Sequence, residues 1–368
     1  MRITCVGAGP AGLYTAILLK LRDPSREVTV LERGVAGATY GWGVVFWDDL
    51  RESLHLNDPV SAKQIDKVAL RWEDLVVDFN DISIADEGTG YSITRRALLS
   101  ILVERAEAVG VRVEFAHPVI DRHQIANADL VVAADGANSS LRSSDPVFGT
   151  AEHIGRNKYV WLGATKVFGS FTFPFVESDY GWIWAHAYGS SSDSSTVVIE
   201  CPPETWTRLG LEDLPVRDSL TLLDQLFARH LDGGRLMVQG NDLPTLPWAN
   251  FRRITNERWH DGQLALVGDA AHTTHFTIGS GTRLAIEDAI ALADHLDEDA
   301  NISAALDGYE VERKEAIAIA QTDAEFSAAW FENIERYVEL GPRRFVSLLH
   351  ARRSPLIAQR YGSSRDSS

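Results

Sequence analysis

A glycine triplet constrains the fold of this chain more than any other feature. Gly7-Ala-Gly9-Pro-Ala-Gly12 follows a β-rich run, residues 2–6, and opens an apolar stretch, residues 11–21, that suits a buried helix. Val28-Thr29-Val30-Leu31 reads as a second strand, closed by Glu32, 20 residues after Gly12. Strand, turn, helix, strand and acid together have the form of a dinucleotide-binding βαβ unit. The first glycine makes the tight turn, Gly9 lets backbone approach a pyrophosphate, and Gly12 lets helix and strand pack closely. Amides at the helix N-terminus, with their partial positive charge, favour the phosphates. Glu32 is the expected acceptor for ribose hydroxyls, and Arg33 beside it is assigned to the same nucleotide. A glycine-rich turn without a ligand would not require the strand, the helix and the acid to occur together.

The triplet does not distinguish FAD from NAD, but two later segments do. Leu266-Val267-Gly268-Asp269 places Gly-Asp after a buried strand, and Gly279-Ser-Gly281-Thr282 opens a helix. An acceptor such as Asp269 suits the ribityl hydroxyls of a flavin. A glycine-rich helix start, with Gly279, Gly281 and Thr282, sets amide donors where a reduced flavin carries negative charge. Residues 129–134, followed by Asp135-Gly136, supply a third element of the same site. FAD is therefore the expected cofactor, and no metal is expected.

At 368 residues the chain is long enough for two interleaved lobes. Helical spacing begins at Arg95, and residues 129–134 and 264–267 read as buried parallel strands. Between about residues 158 and 250 the texture becomes aromatic and alternating, as in an antiparallel sheet. The expected fold is α/β: a Rossmann-like FAD-binding domain (1–75, 90–155 and 255–310) interleaved with an antiparallel substrate domain (76–89 and 156–254). C-terminal helices over 311–360 and a disordered tail over 361–368 complete it. A formal net charge of −17 argues against nucleic acid as a partner. No apolar run is long enough for a membrane span, no leader precedes the first strand, and Cys5 and Cys201 lie far apart, so a cytoplasmic location is expected.

Taken as a set, these segments resemble the class A flavoprotein aromatic hydroxylases, the family of para-hydroxybenzoate hydroxylase, over nearly the whole chain. The resemblance implies that Gly7, Gly9, Gly12 and Glu32 bind ADP, that Asp135-Gly136 serves FAD and nicotinamide, and that Asp269 contacts the ribityl chain. It also implies that Arg95 approaches the FAD phosphates, with Arg96 competing for that role. Phe276 stands where the family has a proline, and no asparagine follows Gly281. That departure, with Gly41-Trp-Gly-Val-Val45, Gly155-Arg-Asn-Lys-Tyr159, Ala185-His-Ala-Tyr188 and Trp330-Phe-Glu-Asn333, is similar to a narrower group. It comprises the salicylyl-CoA 5-hydroxylase, 2-aminobenzoyl-CoA monooxygenase and violacein-pathway hydroxylase types. By this resemblance NADH or NADPH is a transient electron donor and O2 a substrate. The ring attacked is most simply that of an aryl-CoA thioester such as salicylyl-CoA, giving gentisyl-CoA, without the reductase half that longer relatives carry. A free aromatic or indole-derived substrate is the alternative. A non-catalytic FAD-fold binding protein is a third reading, opposed by the retention of Glu32, Asp135 and Asp269.

A pocket for such chemistry must be poor in water. Trp161, Phe173, Trp182 and Trp184 are candidates for its walls, although strand alternation places only half of such residues on one face. His186 and His275 are the catalytic candidates, since a neutral histidine can accept a phenolic proton. Phe276, Arg283, Arg352 and Arg353 complete the substrate candidates, the arginines because guanidinium forks suit CoA phosphates. Either a monomer or a homodimer is compatible with the sequence.

Overall fold

The computed structural model describes residues 1–39, 41–79, 82–240, 243–298 and 301–352. One sheet is fully parallel. Its strands, in chain order, are β1 (Arg2–Val6), β2 (Glu27–Leu31), then Arg112–Glu114, Leu130–Ala133 and Leu264–Leu266. In space Leu264–Leu266 lies at one edge, followed by Leu130–Ala133, β1, β2 and Arg112–Glu114. The central strands are apolar because helices cover both faces of a parallel sheet. Helix α1 (Pro10–Arg22) is buried from Pro10 to Leu19, and it packs on a second helix, Gly281–Glu298, in the same core. Pro10 sits at the first helical turn, where its missing amide costs nothing. A third helix, Arg95–Ala108, begins where the Thr94 hydroxyl accepts the Ala97 amide at 3.2 Å.

The second sheet is mostly antiparallel. It runs from Leu236–Met237 through Ala151–Ala164, Ser195–Cys201, Gly181–Gly189 and Phe171–Ser178 to Leu70–Phe79, Ile82–Thr94 and Gly43–Phe46. Among the described residues of this sheet, only the pairing of Leu70–Phe79 with Phe171–Ser178 is parallel. The sheet thus takes in Gly43–Phe46 and Leu70–Phe79, which lack the dense aromatic texture of residues 158–250. One face packs on short helices within residues 203–231. Part of the other is covered by the 31-residue helix Ile302–Glu332 and by Pro342–His350, through Trp330, Phe331, Phe345 and Leu349. No helix among the described residues is long and apolar enough to cross a membrane.

Candidate active site

The three strand-end turns of the parallel sheet meet at one place. Gly7 has φ +105°, and a Cβ there would strike the Ala134 backbone. At Gly12 a Cβ would meet the Gly7 carbonyl well under the 3.0 Å that real Cβ contacts keep, so the helix can approach the turn only with glycine there. Gly9 is different: nothing lies within 4 Å of its Cβ position, and it lines a cavity of about 680 Å³. Glu32 accepts the Ala8 amide at 2.8 Å and the Gly34 amide at 2.7 Å, which fixes its carboxylate beside the turn. Arg33 is exposed and outside the cavity wall. Asp135 accepts the Ser140 amide at 2.9 Å through one oxygen, while its other oxygen is buried without a hydrogen bond. Gly136, at φ +82°, lines the cavity and has open space at its Cβ position.

Gly268, at φ +62°, turns the chain into Asp269. Its amide donates to Asp288 at 3.0 Å; the same carboxylate takes His272 Nε2 at 2.8 Å and Arg313 Nε at 2.8 Å. Burial works to raise the Asp288 pKa, but His272 and Arg313 outweigh it and hold the carboxyl below its ordinary 3.8. Asp269 opens onto the cavity yet is enclosed by protein, and this desolvation raises its pKa against the pull of His272 and Arg95. Arg95 lines the same cavity, with neither a hydrogen bond nor a salt bridge to its guanidinium among the described residues. Arg96 is exposed and lies outside the wall. Gly279, Gly281 and Thr282 complete this end. Gly279 has φ +65° and packs where a Cβ would come within 2.5 Å of Trp47, whereas Gly281 has open space.

The cavity continues into the second sheet. Trp161, Phe171, Phe173, His186, Tyr188 and Phe276 line it there. Trp182 and Trp184 do not. Trp182 stacks on Phe79 with ring centroids 5.2 Å apart, and Trp184 is wholly buried among Phe175 and Phe331. Strand alternation explains Trp161 and Phe173 lining the cavity but not the absence of Trp184, which shares the His186 face. That face is covered by Phe331 before the cavity reaches it. His275 also lies outside the cavity wall: its Nδ1 bonds Thr277 Oγ1 at 3.1 Å and its ring stacks on Phe276. Arg283 turns away to Glu287 and Asp49. Arg352 reaches the cavity with its nitrogens already engaged. Its nitrogens donate to Ser327, Leu349 and Thr277, and the guanidinium sits 5.7 Å from the Phe173 ring centroid and 5.6 Å from that of Phe331. Arg353 lies outside the described residues. Burial pushes His186 down to about 3, with the Arg352 charge adding to the effect. It pushes His275 down to about 4 against the opposing Glu200 carboxylate. Both rings are thus neutral at neutral pH.

Comparison with known proteins identifies this architecture. A model of the FAD binding domain matches residues 238–324. A protodeoxyviolaceinate monooxygenase of Chromobacterium violaceum is 31% identical over 97% of this chain and 95% of its own length. The chain belongs to the class A FAD-dependent aromatic hydroxylases. A 3-hydroxy-4-methyl-anthranilyl-(aryl-carrier protein) 5-monooxygenase of Streptosporangium sibiricum is 35% identical over 91% of the chain and 90% of its own length. A salicyloyl-CoA 5-hydroxylase of a Streptomyces species is 38% identical over 92% of the chain, which spans 66% of that relative's length. A solved 2-methyl-3-hydroxypyridine-5-carboxylic acid oxygenase shares the fold at TM-score 0.73 and 19% identity, covering 91% of this chain and 92% of its own.

FAD is the cofactor of this hydroxylase, and the residues present fit it. An unpaired guanidinium at Arg95 and open glycine positions at 9, 136 and 281 converge on one space, and Asp135, with an orphaned carboxylate oxygen, immediately precedes Gly136 in its wall. Among the described residues no group of three or more His, Cys, Asp or Glu side chains could hold a metal ion. Sequence reasoning missed Glu200, which is 1% exposed and accepts Asn157 Nδ2 at 2.8 Å and Trp184 Nε1 at 3.1 Å. The available signal was a lone charge in the apolar run Thr196-Val-Val-Ile-Glu200, on the face that alternation shares with Thr196 and Val198. Those residues sit opposite Tyr188 and His186 on the neighbouring strand, and Glu200 itself sits opposite Trp184.

Proposed function

We propose that this flavoprotein monooxygenase hydroxylates the ring of an aryl thioester, salicylyl-CoA being the first to test, with the aromatic end of the cavity as the ring site. Two relatives support this reading: one is named for a salicyloyl thioester of CoA and the other for an anthranilyl thioester of a carrier protein. The observation that carries the site is the single cavity joining Gly9 and Arg95 to His186 and Phe276.

Bound FAD, once reduced by NADH or NADPH, supplies the activation of O2. The chain's own residues do the rest. Gly9 and the start of α1 hold the pyrophosphate, Glu32 takes the ribose hydroxyls, and Arg95 neutralises phosphate. Asp135 with Gly136 and Asp269 orient the ribityl end. The start of helix Gly281–Glu298 offers amides and a positive dipole to the flavin ring. Trp161, Phe171, Phe173 and Phe276 exclude water beside it. His186 lines the ring site, and it is better placed to act on a substrate than His275. For Arg352 we favour a charge facing the aromatic ring over a CoA-phosphate subsite, since protein acceptors already take its nitrogens.

An alternative, hydroxylation of an indole-derived or free aromatic compound, is favoured by the relative that matches over 95% of its length. The two separate by following NADH oxidation and product mass with salicylyl-CoA, 2-aminobenzoyl-CoA, salicylate and an indole in parallel. Oxygenated product from a thioester alone supports the proposal, and product from only the free acid or the indole overturns it.

A further inference from the structure

Glu200 is out of place by its surroundings. It lies 1% exposed on the strand next to the one carrying His186, and its carboxylate receives donors from Asn157 and Trp184. His186 Nε2 stands 3.5 Å from Glu200 Oε2, buried and without a hydrogen bond. The His186 ring lines the cavity, wedged edge-on between Phe173 and Phe276. A buried carboxylate is costly unless a partner uses it. Asn157 and Trp184 leave acceptor capacity on Oε2, and the unsatisfied donor position of His186 Nε2 lies 3.5 Å from it.

We infer that Glu200 is a positioning residue that fixes the His186 ring with Nε2 towards itself, so that Nδ1 serves as the base for a phenolic substituent on the bound ring. The inference rests on the hydroxylase reading above. The step is a proton transfer. The phenol O–H bond breaks, its proton passes to His186 Nδ1, and the electron pair stays on the ring as phenolate, which is the better nucleophile towards activated oxygen. The imidazolium then donates Nε2–H to the Glu200 carboxylate. A separation of 3.5 Å without substrate is compatible with this, since such bonds tighten only once the site is filled.

Neighbouring groups act in both directions. Arg352 faces the ring site and stabilises a phenolate, although its charge also opposes the imidazolium. His275 lies near Glu200 and is held neutral by burial, and Tyr159 on the strand beside Glu200 is pushed above its ordinary pKa. Phe331, from the long helix, closes the remaining side with an uncharged ring. Among the described residues Glu200 is the one carboxylate within ion-pair distance of His186, and its own burial raises its pKa against the pull of His275 and the Asn157 and Trp184 donors.

The test uses the FAD-loaded protein in its oxidised state, without NADH. Salicylyl-CoA and salicylate are bound in turn, and the phenolate absorbance is followed against pH for wild type, Glu200→Gln, Glu200→Asp and His186→Gln. We expect wild type to ionise the bound phenol at lower pH than in free solution. We expect Glu200→Gln and His186→Gln to raise that midpoint by about one pH unit, a tenfold change in proton affinity. Glu200→Asp should recover part of the shift, with flavin content and ligand affinity within about threefold of wild type. In turnover the Glu200→Gln loss should fall on kcat rather than KM. A Glu200→Gln midpoint equal to wild type, or a wild type that ionises the phenol no more readily than water does, overturns the inference. If wild type binds only the free acid but Glu200→Gln still shifts its midpoint, the thioester reading fails and this one stands. Failure of wild type to bind either phenol overturns both. Should Glu200→Gln lose its flavin, the His186→Gln midpoint decides the matter.

Discussion

Gly9 and Gly12, in the same turn, should fail in opposite ways when each is replaced by alanine. At Gly12 the new Cβ would meet the Gly7 carbonyl, which is backbone and cannot rotate aside, and would come within 3.1 Å of the Ala134 Cβ. Overpacking of this kind costs about 1–3 kcal/mol, partly offset by the roughly 1 kcal/mol that alanine gains over glycine in a helix. A net loss of up to about 2 kcal/mol lowers the apoprotein melting temperature by up to roughly 3 °C, because at roughly 2.1 cal/mol/K per residue the unfolding entropy of a 368-residue chain is about 0.8 kcal/mol/K. Gly9 has φ −77° and ψ 177°, which alanine adopts freely, and its Cβ would meet nothing within 4 Å. As an N-cap substitution it costs under about 1 kcal/mol. That methyl group points into the space assigned to the pyrophosphate. Losing one charge-assisted amide contact there is worth about 1.5–3 kcal/mol, or roughly 10- to 100-fold in FAD affinity. Thermal melts of the apoproteins, paired with FAD titrations followed by flavin fluorescence, separate the two. The reasoning is refuted if Gly9→Ala binds FAD like wild type, or if it destabilises the apoprotein as much as Gly12→Ala does.

Other substitutions probe the flavin end and the core. Asp288→Asn leaves Arg313 and His272 without their buried anion, and breaking such a pair costs about 3–5 kcal/mol, measurable by urea unfolding. Because the folded Asp288 pKa lies below its ordinary 3.8, its contribution is present at neutral pH and is lost as pH falls below about 4. A urea midpoint that is flat between pH 6 and pH 3 in wild type would contradict this. Asp269 has the opposite sign: its folded pKa is raised, so its ionised form costs stability above the unfolded value. Asp269→Asn should therefore leave the apoprotein melt unchanged or higher while weakening FAD binding, and a lower apoprotein melt would count against it. Trp182→Ala, which removes a ring stacked on Phe79, should cost about 3–5 kcal/mol of stability. Trp161→Leu should instead raise substrate KM with a smaller effect on unfolding.

The parallel sheet and its three ligand turns were legible because local rules determine them. A strand, a glycine that must turn or pack close, and a helix start are written in consecutive residues, as Gly7 to Gly12 and Gly268 to Thr282 show. The second sheet was legible in kind from the aromatic alternation at 182–188. Alternation gives a residue's face, not what covers that face. Trp184 and His186 share one side of a strand, yet Phe331, nearly 150 residues away, seals the first and leaves the second at the cavity. His275 and Arg283 sit beside motif residues in sequence but turn into packing and ion pairs of their own. Arg352 was placed at the substrate from its charge. The structure keeps it at the cavity while its hydrogen bonds go to Ser327, Thr277 and Leu349, contacts no spacing rule could supply.

Every residue role assigned above requires a flavin ring seated between the start of helix Gly281–Glu298 and the aromatic wall. A crystal structure of the FAD-loaded protein tests this most directly. The expected structure has the pyrophosphate over Gly9, the ribityl chain at Asp269 and the ring's open edge towards His186 and Phe276. Electron density placing the ring elsewhere, or a cavity collapsed onto its own side chains with FAD held at the surface, would contradict it.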